Sequence, residues 1–231
     1  MDIGVIEAPT VRKLFVERVA GMIINNTLKP GDRLPSEREL AQEAHISRSA
    51  VHLGMTDLER MGFVRTEGRH GTFVCDFART GNIETLNLLI HHNGAELSRD
   101  KIRDLLEMRM AIEGKALERL ARKLNEDDIN VLKEDYEKAE KQTDPSELSA
   151  AFFDFHHDIC VCSGNFILPL IFNTFRDITL VYWQEAIRKL GRQECLSLLK
   201  KMLKTIEKKD PQASRKYLQK EFDLFLKETD A

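Results

Sequence analysis

Two helix-start signals lie close together near the amino terminus and leave little freedom in how that segment can fold. Ser36-Glu37-Arg38-Glu39 is a capping box, in which the serine hydroxyl and the last carboxylate satisfy the free amide groups of a helix start. Ser47, after a brief turn, is a good N-cap for a further helix. The helix between the two signals must be short, so the segment is predicted to form two helices joined by a tight turn.

The segments on either side complete a recognisable order of elements. Apolar residues recur every three or four positions from Val11 to Asn26, which is the spacing of one helix face. Further along, two β-prone runs at 63–67 and 72–75 are joined by a loop with a glycine at each end, which predicts a β-hairpin. A helix, two helices joined by a turn, and a hairpin together predict a winged helix-turn-helix over residues 1–76.

The rest of the chain has mainly helical periodicity. Residues 77–97 are expected to form a connector that is partly helical, and residues 98–231 an all-α antiparallel bundle. We expect six helices in that bundle, with one over Phe152–Cys162 and the next over Leu168–Leu190. The predicted fold class is therefore mainly α, with a small β-hairpin in the amino-terminal part.

Charge and composition exclude some classes of protein but do not identify the function. The chain has 35 Lys and Arg against 38 Asp and Glu, a net charge of -3, so any DNA contact must come from a local basic patch. No run of 18 apolar residues and no basic-then-apolar leader is present, and we expect a cytoplasmic protein without membrane contact. The four cysteines are expected to be free thiols.

Polar residues gather where a winged helix meets DNA. The second helix of such a motif lies in the major groove, with its first residues against the bases. Arg48 has the forked donor geometry that fits guanine or phosphate, and Arg38 can reach a phosphate at a helix start. The candidate DNA contacts on this surface and at the hairpin tip are Arg38, Ser47, Arg48, Ser49, His52, Arg69 and His70.

An ordinary solvated surface is the alternative interpretation of these charges. Residues 33–71 contain six arginines and six acidic residues, so the segment is neutral by count. The order of elements favours DNA binding, because the cations cluster at the helix start and the loop tip while the acids mostly suit caps and solvent-facing positions.

The same segment closely resembles the winged-helix domain of GntR-family bacterial transcription regulators. The matching stretches, in order, are Gly31–Ala41, Ile46–Arg48, Leu58–Val64 and Gly71–Val74. The carboxy-terminal half is similar to the helical ligand-binding domain of the FadR-like branch of that family, known as FCD. Its matching stretches are Leu105–Arg109, Ile112-Glu113, Phe155-His156 and Ser163–Asn165.

The resemblance implies contacts with a double-stranded DNA operator. The matching positions are Arg38, Arg48, Ser49 and, in the wing, Arg69, His70 and Gly71. The family usually has arginine where this chain has His52, so a DNA contact there is expected to be weaker and to depend on the charge of the imidazole.

In the helical half, the resemblance raises the question of a metal. Many members hold a divalent ion with an aspartate four residues before the histidine of the Phe-His pair, and with a histidine on each of the last two helices. This chain has Phe152, His156, Cys195 and Glu221 at those positions. A remodelled zinc-like site of His156, Cys195 and Glu221 is chemically possible. The favoured alternative is that His156 hydrogen-bonds a ligand or a neighbour, while Phe152 fills the space of the metal.

Two further polar residues have two interpretations each. Arg109 lies in mid-helix among apolar residues and needs an anionic partner, either an effector or Glu113 one turn away. The matching arginine in the family tends to face the effector cavity, which favours the effector. Asn165 either ends a helix or lines a pocket. The candidate ligand-binding residues are Arg109, Phe152, His156, Asn165, Cys195 and Glu221.

These observations predict a ligand-responsive transcription repressor or activator that binds a palindromic operator as a homodimer. The effector implied by the resemblance is a small carboxylate. One alternative is a regulator whose helical domain only dimerises. The other is a metal-dependent helical-bundle hydrolase, which is disfavoured because no nucleophile is paired with a base and no ligand set is complete. We therefore expect no enzyme activity.

Overall fold

The computed structural model describes residues 9–92 and 99–228. The chain divides into two compact units, residues 1–94 and 95–231. Each unit has its own apolar core. In the described ranges, no helix is both long and apolar enough to span a bilayer.

The first unit is a winged helix-turn-helix, as predicted. Its strands β1 and β2 are antiparallel, with Val64 opposite Val74, and a single turn of 3-10 helix at 68–70 joins them. Its described elements are α1 (Val11–Ile24), α2 (Glu37–Glu43), α3 (Arg48–Arg60), β1 (Val64–Thr66), β2 (Thr72–Val74), α4 (Phe77–Thr80) and α5 (Ile83–His91).

The two predicted helix starts are confirmed in detail. The hydroxyl of Ser36 accepts a hydrogen bond from the amide of Glu39 at 3.3 Å, and the Glu39 carboxylate accepts one from the Ser36 amide at 2.8 Å. The hydroxyl of Ser47 accepts from the amide of Ala50 at 3.2 Å. These local bonds fix where α2 and α3 begin, and so fix the length of the turn between them.

The core of the first unit lies between α1 and α3, with the hairpin closing one end. Phe15, Val51, Leu58 and Phe63 are all buried in it. Helices α4 and α5, which fall in the predicted connector, belong to this unit. The side chain of Asn82 donates to the carbonyl of Arg60 at 2.8 Å.

Gly62 is required where α3 turns into β1. Its φ of 75° lies in the left-handed region, and a Cβ atom there would overlap the backbone carbonyl of Thr80. Gly31 has a φ of 93° but open space around it. We expect Gly62→Ala to destabilise the chain by about 3 kcal/mol, and Gly31→Ala by about 1 kcal/mol from backbone strain alone. Denaturant unfolding of both variants measures the difference, and equal losses would contradict a clash at Gly62.

The second unit is a bundle of helices, as predicted, but it has seven described helices where the sequence predicts six. They are α6 (Arg99–Lys123), α7 (Glu126–Lys141), α8 (Pro145–Cys162), α9 (Leu168–Asn173), α10 (Arg176–Leu190), α11 (Arg192–Glu207) and α12 (Pro211–Glu228). The prediction of one helix over Leu168–Leu190 is wrong. The hydroxyl of Thr174 donates to the carbonyl of Leu170, and the amide of Phe175 bonds only three residues back, which ends α9.

Helix α8 also begins earlier than predicted. Its N-cap is Asp144, whose carboxylate accepts from the amides of Ser146 and Glu147 at 2.8 and 3.2 Å. Pro145 is its first residue, where a missing amide hydrogen costs nothing. The helix packs against α6, α7, α9 and α10, so it is the central helix of the bundle. All four cysteines are free thiols, and all are buried.

Candidate functional site

The start of α3 presents polar side chains to solvent. Ser47, Arg48 and Ser49 are exposed, and the hydroxyls of the two serines lie 3.1 Å apart. One turn further on, the fully buried Val51 anchors the opposite face of the helix in the core. The packing of α3 therefore turns its first residues outward.

His52 has a partner within the protein, Glu37, that the sequence does not indicate. Its Nδ1 lies 2.9 Å from a carboxylate oxygen of Glu37, and this contact joins α3 to the first turn of α2. The His52 side chain is 66% exposed, so it remains open to a further contact. Glu37 and His52 are 15 residues apart, and no local sequence pattern indicates their pairing.

The wing carries the remaining candidates. Arg69 and His70 are exposed in the turn between β1 and β2, and Gly71 follows with a φ of 108°. Arg33, which the sequence does not single out, is exposed and bridges to Phe73 of β2. A Cβ on Gly71 would lie 2.8 Å from Nε of Arg33, so this arginine lies at the edge of the wing.

Four of the nine arginines in residues 9–92 are neutralised by ion pairs, but those of the candidate surface are not. Within residues 9–92, ion pairs join Arg12 to Asp57, Arg60 to Glu84, Arg65 to Glu67 and Arg79 to Asp76. In the same residues, no ion pair holds Arg38, Arg48 or Arg69. The arginines at the two helix starts and at the wing tip are thus among those without an ion pair in this part of the chain, together with Arg18 and Arg33.

The second unit contains a buried chain of four charged residues. Nε of Arg109 donates to Glu113 at 2.8 Å, and the other oxygen of Glu113 lies 2.6 Å from Nδ1 of His156. Nε2 of His156 faces a carboxylate oxygen of Glu221 at 3.3 Å. Every one of the four is at most 2% exposed. The chain ties α6, α8 and α12 together.

Within this buried chain, neighbouring charges favour the charged forms of His156 and Glu113. Burial disfavours the imidazolium form of His156, but the carboxylates of Glu113 and Glu221 outweigh it and raise the pKa of His156 to about 9. Burial likewise acts to raise the pKa of Glu113, but Arg109 and then His156 hold it below its ordinary value. The ion pair of Arg109 with Glu113 is the alternative that the sequence left open.

Aromatic rings surround this chain. Phe152 is fully buried with its ring centroid 4.6 Å from that of Trp183, and the His156 ring lies 5.8 Å from Trp183. A cavity of about 10 Å³ lies beside Arg109 and is lined also by Thr179 and Trp183, which is room for a single water molecule. The hydroxyl of Thr179 has no hydrogen-bond partner among the described residues.

The side chains do not fit the proposed divalent metal. His156 offers Nε2 and Glu221 its two oxygens, and none of these atoms has a hydrogen-bond partner in the described part of the chain. Burial and then Glu221 raise the pKa of the Cys195 thiol to about 12, which disfavours the thiolate in the metal-free protein. Phe152 contributes no donor. Across the described residues, no group of three or more His, Cys, Asp or Glu side chains is placed to hold an ion.

Asn165 has a local role. Its side-chain oxygen accepts hydrogen bonds from the amides of Ile167 and Leu168, at 2.9 and 3.4 Å. These bonds shape the turn into α9, so Asn165 lies at the start of the next helix and does not end α8, whose C-cap is Ser163. Glu113 belongs to the buried chain and contacts both Arg109 and His156. The sequence indicates it only as a partner of Arg109.

Comparison with protein families assigns both units. The model of bacterial regulatory proteins of the gntR family matches residues 15–74, and the model of the FCD domain matches residues 104–223. The chain belongs to the GntR family. Its second unit contains the FCD domain, whose model alone spans more than half of the chain.

Named relatives of this GntR-family chain are transcription regulators, not enzymes. The HTH-type transcriptional regulator Mce2R of Mycobacterium tuberculosis is 32% identical over 161 residues, which cover 69% of this chain and 66% of that protein. The Glc operon transcriptional activator of Escherichia coli is 30% identical over 179 residues, covering 74% of this chain and 68% of that protein. The aligned region thus spans about two thirds of these relatives.

A solved structure has the same fold over nearly the full length. The structure of Lar, which controls expression of the Listeria monocytogenes agr system, matches with a TM-score of 0.61 and 17% identity, and covers 97% of this chain and 99% of that one. At this identity the likeness concerns the fold alone.

Proposed function

We propose that this chain binds a palindromic DNA operator as a homodimer, and that a small organic acid bound in the FCD domain controls its affinity for that operator. The observation that carries the proposal is the exposed start of α3. There Arg48 extends into solvent, and it has no ion-pair partner within residues 9–92.

The roles on DNA follow from position. Arg48 and Ser49, at the start of the recognition helix, reach base edges or phosphates in the major groove. Arg38 binds a phosphate at the start of α2, where the helix dipole favours an anion. Arg69 and His70 of the wing contact the adjacent backbone or minor groove. The exposed edge of the His52 ring contacts the DNA, while Glu37 binds the edge that carries Nδ1.

Dimer formation follows from the size of one recognition helix. A single winged helix contacts only a few base pairs, which is too few for useful specificity. Two copies related by a two-fold axis double the contacts, and their operator has the same symmetry. The domain boundaries that we propose are 1–76 for DNA binding, 77–97 for the connector and 98–231 for effector binding and dimerisation.

The effector site lies around the buried cations of the FCD domain. Arg109 and His156 are the positive groups that a carboxylate would contact, and Phe152 supplies an apolar wall. Both cations already face protein carboxylates, so an incoming acid must separate Glu221 from His156. Such binding would shift the population toward a different position of α12, which is how ligand and DNA affinity would be linked.

One observation favours a second candidate function. The cavity beside Arg109 has a volume of about 10 Å³, which is too small for any organic acid without rearrangement. In this second candidate, the helical domain only dimerises and the regulator responds to no effector.

The melting midpoint of the full chain distinguishes the two candidates. With acetate, pyruvate, succinate and citrate tested separately, a true effector at about a hundred times its Kd adds about 2.7 kcal/mol of stability. The His156→Gln variant should lose this shift, whereas His157→Gln, one residue away and partly exposed, should keep it. If no acid in the panel changes either the midpoint or the DNA affinity, the dimerisation candidate replaces the sensor.

A further inference from the structure

Arg33 is an exposed arginine of the first unit that has no assigned role so far. It lies in residues 31–34, which pair with β2 as a further extended segment. The amide of Leu34 donates to the carbonyl of Thr72 at 2.9 Å, and Arg33 itself lies opposite Phe73. The backbone of Arg33 is therefore held by the wing, although the residue precedes α2 in the chain.

The register of this pairing directs the Arg33 side chain to the outer face of the wing. Arg65 of β1 lies opposite Phe73 from the other side, so the two arginines and the phenylalanine share one face of the strands. The neighbouring residues Leu34 and Val74 alternate to the inner face, where both are buried. The core thus fixes the face on which Arg33 lies.

The guanidinium of Arg33 adjoins both the wing turn and the start of α2. A Cβ atom on Gly71 would lie 2.8 Å from its Nε and 3.3 Å from its Nη2, so the guanidinium packs directly against the Gly71 backbone. Hydrogen bonds from Ser36 are the main cause that holds the pKa of Glu39 below its ordinary value, and the charge of Arg33 adds to this effect. Arg33 therefore connects the two parts of the candidate DNA surface.

Charge pairing distinguishes Arg33 from Arg65, its counterpart across Phe73. Nη2 of Arg65 lies 2.9 Å from a carboxylate oxygen of Glu67. Within residues 9–92, no ion pair holds Arg33. Its guanidinium can therefore bind an anion from outside the protein without first separating an ion pair.

We propose that Arg33 binds a backbone phosphate of the operator and joins the contacts of Arg38 and Arg69 into one continuous track. This inference rests on the proposed DNA-binding function. A guanidinium binds two phosphate oxygens at once, which suits an exposed arginine without a carboxylate partner. A phosphate contact positions the protein but carries no sequence information. Arg33 therefore determines affinity and salt dependence, whereas Arg48 determines which bases are preferred.

The salt dependence of DNA binding measures this contact. Affinities of the full chain and of Arg33→Ala are determined by fluorescence anisotropy at several salt concentrations, on a duplex selected with the wild-type protein and on a scrambled duplex. Each phosphate contact contributes about 0.9 to the slope of log affinity against log salt, so a dimer of Arg33→Ala should lose about 1.8 from that slope. Its loss of affinity should then be about twelvefold larger at about 50 mM than at about 200 mM salt, and should occur on both duplexes.

Three further variants separate a phosphate contact from a structural role. Arg33→Lys keeps the cation and should keep most of the slope. Arg33→Gln keeps a polar side chain against Gly71 and removes only the charge, so it should match Arg33→Ala even if the alanine variant folds poorly. Arg18→Ala removes the same charge from an exposed position on α1, beside a groove that is also lined by Glu43 at the far end of α2. It should change the slope by less than about 0.5.

Two results would overturn this inference alone. One is an unchanged slope in both Arg33→Ala and Arg33→Gln while Arg48→Ala still loses its preference for the selected duplex. The other is a loss confined to the selected duplex, since a phosphate contact acts on both. A wild-type chain that binds neither duplex would instead overturn the proposed function, and this inference with it.

Discussion

Arg48→Ala is expected to remove operator-specific DNA binding while the protein stays folded. The Arg48 side chain is exposed and has no ion pair among residues 9–92, so its loss should leave the melting midpoint unchanged. A good bidentate base contact is worth about 1–3 kcal/mol, and a dimer on a palindrome loses two of them. We therefore expect at least about a thirtyfold loss of affinity for the operator.

The measurement is fluorescence anisotropy on a duplex selected with the wild-type protein from a random pool, with a scrambled duplex alongside. Arg122→Ala is the matched control, since it removes the same charge from an exposed position in the helical unit. It should leave the preference for the selected duplex intact. If Arg48→Ala keeps the wild-type preference for the selected duplex over the scrambled one, the first turn of α3 does not contact the bases.

Glu113→Gln should cause the largest loss of stability in the helical unit. Glu113 is 1% exposed and is the shared anion between Arg109 and His156, so its neutralisation leaves Arg109 without its carboxylate and His156 with Glu221 alone. Breaking a buried ion pair in this way costs about 3–5 kcal/mol. For a unit of this size that corresponds to a fall of about 10 °C in the melting midpoint.

The control for this prediction lies on the same helix. Glu118 is also a carboxylate of α6, but it is 41% exposed and pairs with Lys115 at the surface. Glu118→Gln should change the midpoint little, because exposed ion pairs contribute little to stability. Equal effects of Glu113→Gln and Glu118→Gln would contradict the buried network, and calorimetry of the full chain compares them directly.

The sequence predicts those features that local chemistry determines. The caps at Ser36 and Ser47 each depend on residues within three positions, and the structure contains both. The hairpin follows from two short β-prone runs and a glycine-bounded loop, and it too is present. Such signals need no knowledge of distant packing, which explains why the winged helix could be predicted in order and in length.

The helix break within residues 168–190 could not be predicted in the same way. Apolar residues continue at helical spacing through Thr174 and Phe175. Both Phe172 and Phe175 are buried, at 0% and 4% exposure, and the bend between α9 and α10 accompanies that burial. Such a choice depends on tertiary packing, on which periodicity gives no information.

The buried charge network shows the same limit for the candidate site. Arg109 and Glu113 lie one helical turn apart, and their spacing in the sequence indicates this ion pair as one of two possible partners for Arg109. The contact of Glu113 with His156 joins residues 43 positions apart, and only the packing of α6 on α8 produces it. The pairing of Glu37 with His52 is likewise tertiary, so the sequence names His52 as a DNA contact without its carboxylate partner.

The most direct test of DNA recognition combines a protein change with a base change. In the selected operator, each guanine is replaced in turn by 7-deazaguanine, which lacks the N7 acceptor that arginine binds. Affinity is then measured for the wild type and for Arg48→Ala. We predict one guanine per half-site at which the wild type loses about tenfold in affinity while the variant loses nothing further. Equal losses in both proteins at every guanine would contradict base recognition by Arg48.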